Sequence, residues 1–126
     1  MLYIGHFIFD VDERSESEQY GHFTCVTEAP DCKSAMAVFK KLLQELHAKE
    51  LLFAEGVRTR VYLDVCVELV RAPLAGILCH YERVSGEPPI TMFQDLVGAP
   101  KDVAASFALQ PEGKSEMEEF LIFENY

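Results

Sequence analysis

Three side chains that could take part in chemistry occupy alternate positions in the segment Arg58–Val70, RTRVYLDVCVELV. Asp64 and Glu68 carry carboxylates, and Cys66 between them carries a thiol. Alternate residues of a β-strand point to the same face, so a strand here would place the thiol between two carboxylates on one surface. A thiol beside an imidazole can act as a nucleophile, and the same groups can also bind zinc.

His80 is the imidazole that we expect closest to this row of side chains. The segment Gly76–Val84, GILCHYERV, alternates as a strand does, and the break at Pro73 would let it return beside Arg58–Val70. His80 and Glu82 would then lie on the same surface as the thiol. The candidate catalytic residues are Cys66, His80, Asp64 and Glu68.

A solvated sheet face accounts for the same row of residues. Antiparallel sheets commonly bury one face and expose the other, and spacing alone does not separate a reactive cluster from surface groups. We favour the solvated face over the reactive site. Both interpretations predict that Asp64, Cys66 and Glu68 share one open surface, opposite an apolar face that contains Val61, Leu63, Val65, Val67 and Leu69.

Other motifs give no support for a metal or a cofactor. His22 and Cys25 have a spacing that suits zinc, as do the adjacent Cys79 and His80, but in strands the members of each pair point to opposite faces. The acidic segment 10–21 begins like a calcium-binding loop but lacks its glycine and its final glutamate. Glycine-rich phosphate-binding motifs are also missing from the sequence. We therefore expect no bound metal and no cofactor.

Composition excludes several classes of partner. The 126 residues include 11 basic and 21 acidic side chains, for a net charge of −10, which opposes binding to nucleic acid and to anionic membranes. Apolar stretches fall short of the roughly 20 residues that cross a bilayer. The first residues carry no basic leader, and the four cysteines form no C-x-x-C pair. These features predict a cytoplasmic protein with reduced thiols.

The elements that would position these side chains can be read from hydrophobic spacing. Residues 3–9 and 21–27 alternate as two strands of a hairpin, and a loop centred near Arg14 would set His6 opposite His22, on the face away from Phe7 and Phe23. Asp31 is a favourable N-cap for a helix that can end at Gly56. The helix carries an apolar stripe at spacings of three and four, made of Ala35, Val38, Phe39, Leu42, Leu43 and Leu46.

This order of elements predicts one α+β domain over residues 1–126. We expect a mostly antiparallel sheet of about five to six strands with one main helix packed on one face, in the order β-β-α-β-β and then further, less regular strands. The spacing leaves the structure of residues 86–118 undecided.

The leading functional hypothesis is a non-enzymatic domain that binds a protein partner or forms a homodimer. It rests on the lack of a specific catalytic motif, on the 49% content of hydrophobic residues and on strand edges that need covering. Two alternatives remain. One is a small enzyme that uses the Cys66, His80 and carboxylate cluster, and the other is an immunity-like inhibitor whose acidic surface holds a basic partner.

Overall fold

An antiparallel sheet with a helix packed on one face forms the body of the protein, in a computed structural model that describes residues 1–12, 19–53, 58–85, 90–95, 100, 102–107 and 119–124. Within these residues the elements are β1 (Leu2–Asp12), β2 (Gln19–Glu28), α1 (Cys32–Ala48), β3 (Arg58–Leu69), β4 (His80–Ser85), β5 (Ile90–Asp95), β6 (Ala104–Phe107) and β7 (Glu119–Glu124). The predicted α+β class is confirmed. In the span 86–118, which spacing left undecided, β5 and β6 are strands, and the remainder lies largely outside the described residues.

β3 is the central strand of a five-stranded sheet with the order β2-β1-β3-β6. β1 pairs with one edge of β3, while β6 and β7 share the other edge, β6 along residues 66–69 and β7 along residues 58–62. β4 pairs with β5 in a separate two-stranded sheet. The expectation that the segment with His80 returns beside β3 is therefore wrong, because β6 and β7 occupy the edge that it would have used.

The first hairpin has the predicted strands but a different register. Phe7 lies opposite Phe23, and His6 lies opposite Thr24, so the predicted pairing of His6 with His22 is wrong by two residues. A shift of two residues keeps every side chain on its face. His6 and His22 therefore lie on the face away from the two phenylalanines, as expected.

A β-bulge interrupts the regular alternation of β3. Phe7 of β1 lies opposite Leu63, but the preceding residue, His6, lies opposite Val65, so that Asp64 is the extra residue. A bulge of one residue turns all following side chains to the other face. The predicted single apolar face of β3 is therefore wrong, because it is divided at Asp64.

Two separate apolar clusters result from this division. On the face toward α1, Val61 and Leu63 belong to the same core as Phe39, and after the bulge Cys66 joins that core. On the opposite face, Val67 packs with residues of the chain beyond β3, which are Ile77, Val103 and Ala104. Both faces of the second half of β3 are buried as a consequence.

The helix begins where the sequence predicts and ends earlier. The Asp31 carboxylate accepts a hydrogen bond of 2.7 Å from the Ser34 amide, which confirms the predicted N-cap. The last helical residue is Ala48, because Glu50 adopts a left-handed conformation with φ of 59°. The Glu50 amide donates to the His47 carbonyl and the Leu51 amide donates to the Leu46 carbonyl, which together form a Schellman motif. Gly56 is therefore not the end of the helix.

Aromatic rings fill the space between α1 and the sheet. The Phe7 ring lies edge-on to Phe39 of the helix, with 5.7 Å between ring centroids, and stacks on Phe23 at 5.0 Å. Within the described residues, no helix is long and apolar enough to cross a bilayer.

Candidate functional site

Four side chains around the buried Cys66 thiol are linked by a hydrogen bond, by packing on one core cluster or by electrostatic interaction. They are Tyr3 of β1, Cys32 of α1, and Cys66 and Glu68 of β3, and we call them the Cys66 corner. Two features of the chain build it. The bulge at Asp64 turns Cys66 and Glu68 toward the helix, and the N-cap at Asp31 fixes Cys32 as the first helical residue.

Tyr3 and Glu68 form the polar contact of the Cys66 corner. The two residues lie opposite each other in the β1–β3 pairing, and the Tyr3 hydroxyl donates to Glu68 Oε2 at 2.5 Å. This hydrogen bond to a carboxylate raises the pKa of Tyr3, first because it stabilises the protonated hydroxyl and then because the ring is buried. Tyr3 is therefore a hydrogen-bond donor to Glu68 across the neutral pH range.

Cys32 and Cys66 are the two thiols of the Cys66 corner. Burial raises the pKa of both thiols, and each thiol is a smaller cause of the pKa shift of the other. Cys66 is 0% exposed, whereas Cys32 is partly exposed and packs against the core cluster that contains Cys66.

The electrostatics of the Cys66 corner keep both thiols protonated. Burial, followed by the neighbouring Cys32 and Glu68, raises the pKa of Cys66 to about 12. Burial is also the largest cause of the raised pKa of Cys32. Nucleophilic cysteines need a lowered pKa in an electropositive setting, and a buried thiol beside a carboxylate has the opposite environment.

The predicted row of reactive residues is not one surface in the folded chain. Cys66 and Glu68 lie on the helix side of β3, while Tyr62, which lies opposite Ile8, faces the other way. Asp64 is at the bulge and is 5% exposed. The prediction that Asp64, Cys66 and Glu68 share an open face is therefore wrong, because the bulge changes the parity between them.

His80 is not placed beside this row by strand pairing. It is the first residue of β4, where its backbone lies opposite Asp95 of β5. The side chains of His80 and Glu82 lie outside the described part of the structure. A catalytic role for Cys66, His80, Asp64 or Glu68 stays a prediction that the geometry of β3 does not support.

Two members of the Cys66 corner were missed by the sequence argument. Cys32 follows the N-cap directly, and its closeness to Cys66 depends on how the helix crosses the sheet, which spacing does not reveal. Tyr3 faces Glu68 only because of the register beyond the bulge. Within the described ranges, no group of three histidine, cysteine or acidic side chains is arranged to hold a metal ion.

The free edge of β2 is a second candidate site, for binding another protein. β2 is the outermost strand of the order β2-β1-β3-β6, and no described strand pairs with its outer edge. Its side chains alternate between the core and the opposite face. Cys25 is buried under α1, whereas Thr24 and Val26 are exposed on the opposite face, Val26 to 58%.

Comparison of the chain with protein-family models, with curated proteins and with solved structures gave no match. Its class is thus defined by the fold alone, as an α+β domain with an antiparallel sheet.

Proposed function

We propose that this protein is a non-enzymatic binding module that forms a homodimer by pairing the β2 edges of two copies. The observation that carries the proposal is that β2 is a long edge strand without a bulge, and that no described strand pairs with its outer edge. The cytoplasm is the compartment that we propose for it, because the four cysteines are free thiols, as a reducing compartment keeps them.

The backbone of β2 is suited to strand addition. The strand has ten residues, and its register with β1 runs from Leu2–Glu28 to Val11–Gln19 without a bulge. Natural edge strands are usually short, bulged, or marked by lysine, inward-pointing charges or proline. Residues 19–27 contain no charged residue and no proline. The backbone N–H and C=O groups along such an edge can pair with another strand.

A second copy is the partner that the charges of β2 favour. Each chain has a net charge of −10, so two copies repel each other over most of their surface. β2 carries one acidic residue, Glu28 at its end, and none before it. Antiparallel pairing of identical strands also satisfies a two-fold axis, since every contact occurs twice. The β2 edge is therefore a place where two acidic chains can meet with little repulsion.

The two alternative functions have less support. An inhibitor of a basic partner depends on the acidic segments near residues 10–18 and 112–124, most of which lie outside the described residues. An enzyme that uses Cys66 depends on a thiol that is fully buried and resists ionisation.

A lysine at the edge tests the proposal. Val26→Lys places a charge on the exposed face of β2, and paired copies would bring two such charges together. The matched control is Val38→Lys, which makes the same change at a site that is 42% exposed on α1. Sedimentation velocity should show a concentration-dependent dimer of the wild-type protein in the range of roughly 1–100 µM.

We expect Val26→Lys to weaken dimerisation at least tenfold, about 1.4 kcal/mol, and Val38→Lys to leave it unchanged. Hydrogen exchange should in addition show β2 amides that become protected as the wild-type concentration rises. A wild-type protein that stays monomeric throughout this range would overturn the proposal, as would equal losses in the two variants.

A further inference from the structure

We propose that the rings in contact with Phe53 form a binding pocket for an aromatic side chain of a partner protein, and that Phe53 occupies this pocket as an intramolecular ligand. We call it the Phe53 pocket, and its members are Phe9, Phe23, His47 and Phe123. The inference is independent of dimerisation at β2. It assigns a second interaction surface to the protein and gives the chemistry of the partner as an exposed phenylalanine or a similar ring.

Four rings from four elements contact the side chain of Phe53. The Phe53 ring is T-shaped to Phe9 of β1 and to Phe23 of β2, with centroid distances of 5.1 Å and 6.2 Å. Its centroid lies 5.3 Å from that of Phe123 in β7 and 6.5 Å from that of His47 in α1. Tilted and edge-to-face contacts at these distances are the preferred packing of aromatic rings. The Phe53 pocket therefore favours a flat ring over an aliphatic side chain.

The walls of the Phe53 pocket also pack against one another. Phe9 contacts Phe23 with 6.0 Å between ring centroids, and His47 contacts Phe123 with 4.5 Å. Phe123 is in addition part of the buried core. These contacts do not involve Phe53. We therefore expect the walls to stay in place when the Phe53 ring leaves.

The backbone of Phe53 is held in a conformation that its own side chain disfavours. Its φ of 62° lies in the left-handed region, where a bulky residue is an outlier. Strain of this kind persists only where the surrounding structure enforces it, and at Phe53 the ring contacts do so. A ring on an unstrained backbone can make the same contacts without this cost. The strain therefore makes Phe53 an occupant that another aromatic ring can replace.

Phe53 belongs to a short segment at the surface, whose opening leaves the core intact. Leu51 is 70% exposed, and Phe53 is partly buried. His47 Nδ1 donates a hydrogen bond of 2.9 Å to the Leu52 carbonyl, which ties the segment to α1. Opening of the segment breaks this hydrogen bond and the ring contacts of Phe53. Local openings of this size cost less free energy than global unfolding does.

The small molecule N-acetyl-phenylalaninamide carries one phenyl ring and tests the pocket. Phe53→Gly removes the competing ring, and glycine accepts the left-handed backbone. We expect this variant to bind the probe with a Kd of roughly 1 mM, as a small ligand of this size does. The wild type should bind at least tenfold more weakly, because its pocket is filled. Two-dimensional NMR should show shifted ring signals of Phe9, Phe23 and Phe123.

Two further variants separate removal of the ring from loosening of the segment. Phe53→Asn also empties the pocket, and asparagine tolerates a left-handed backbone, so it should bind the probe as Phe53→Gly does. Leu51→Gly loosens the same segment but keeps the ring, so it should bind as the wild type does. The inference is overturned if the folded Phe53 variants bind no better than the wild type or bind elsewhere, or if Leu51→Gly binds as tightly as they do.

Hydrogen exchange of the wild type tests the opening without any substitution. Amides of residues 51–53 should exchange through a local opening at low urea, while amides at the centre of β1 exchange only with global unfolding. Exchange of both sets by global unfolding alone would show that Phe53 does not leave its pocket, and the inference would be overturned even if a Phe53 variant fails to fold.

Discussion

Gly5 is a residue at which the sheet and α1 approach each other closely. A Cβ atom built on Gly5 would lie 2.8 Å from the Phe7 ring and 2.9 Å from the Phe39 ring, which is too close for real contacts. Gly5 also stands between Cys25 and Cys66 in the sheet. The missing side chain therefore lets the helix ring reach the strand.

We expect Gly5→Ala to destabilise the fold by roughly 1–3 kcal/mol, as overpacking of a core does. The reason is that Phe7 and Phe39 are both buried and have little space to move. Gly76→Ala is the matched control, because a Cβ atom there meets nothing within 4 Å. Urea unfolding followed by circular dichroism measures both. Equal midpoints for the two variants would show that the close approach is not present.

At the scale of single residues, the helix was the most predictable part of the molecule. Its N-cap at Asp31 and the burial of Ala35, Phe39 and Leu43 follow from spacing alone. Val38 was placed in the same apolar stripe but is 42% exposed, since it lies at the border of the stripe.

At the scale of elements, β3 shows why spacing was not sufficient. The sequence alternates without interruption from Val61 to Leu69, and it gives no sign that the strand contains an extra residue. Regular alternation predicts one buried face, but the bulge places Val65 and Val67 on the opposite face from Val61. Cys66 could be read as an exposed polar residue or as a small hydrophobe, and only the tertiary fold, which buries both faces, decides between these.

Deletion of Asp64 distinguishes the bulged strand from a regular one. In the bulged strand, removal of the extra residue leaves Leu63 and Val65 on their present faces, so we expect a folded protein at a cost of a few kcal/mol at most. In a regular strand, the same deletion would turn the whole second half of β3 to the wrong face and unfold the domain.

Deletion of Cys66 is the control for this experiment, because it turns Val67 and Leu69 to the wrong face while the bulge remains. We expect that variant to be unfolded. Circular dichroism and one-dimensional proton NMR distinguish the outcomes. An unfolded Asp64 deletion would contradict the bulge.

Strand pairing was the least predictable feature of the elements. The hairpin of β1 and β2 is local, and its strands and faces followed from the sequence. The partners of β3 come from distant segments, β6 and β7, and neither spacing nor composition indicates which of several strands takes a given edge. The predicted proximity of His80 to Cys66 failed for this reason.

At the scale of the whole molecule, folding raises the pKa of several thiols and of a tyrosine hydroxyl. The pKa values of Cys25, Cys32 and Cys66 are raised, chiefly by burial, and the pKa of Tyr62 is raised by burial as well. A raised pKa means that the folded state binds a proton more tightly than the unfolded state does. Stability from these groups is complete below the unfolded thiol pKa of about 8.5 and is lost as the pH rises toward the folded values.

We therefore expect the free energy of unfolding to be level from pH 7 to 8 and to fall from pH 9 to 11. Cys66, which is fully buried with a pKa of about 12, should contribute a slope of up to about 1.4 kcal/mol per pH unit. Urea titrations under reducing conditions at each pH measure this slope. Cys66→Ala should have a shallower slope than the wild type, and a slope as steep as that of the wild type would show that Cys66 is not the titrating group.

The position of β3 between distant segments also has a consequence for the time that the chain needs to fold. Val61 lies opposite Phe9 on one side and Leu121 on the other, so its two neighbours are 61 − 9 = 52 residues before it and 121 − 61 = 60 residues after it. Each pairing must close a long loop before its contacts are gained, and proteins rich in such contacts fold in milliseconds to seconds rather than microseconds. The hairpin of β1 and β2 can form early together with α1. The pairing of β3 with β7 can form only after the chain has been synthesised about sixty residues further.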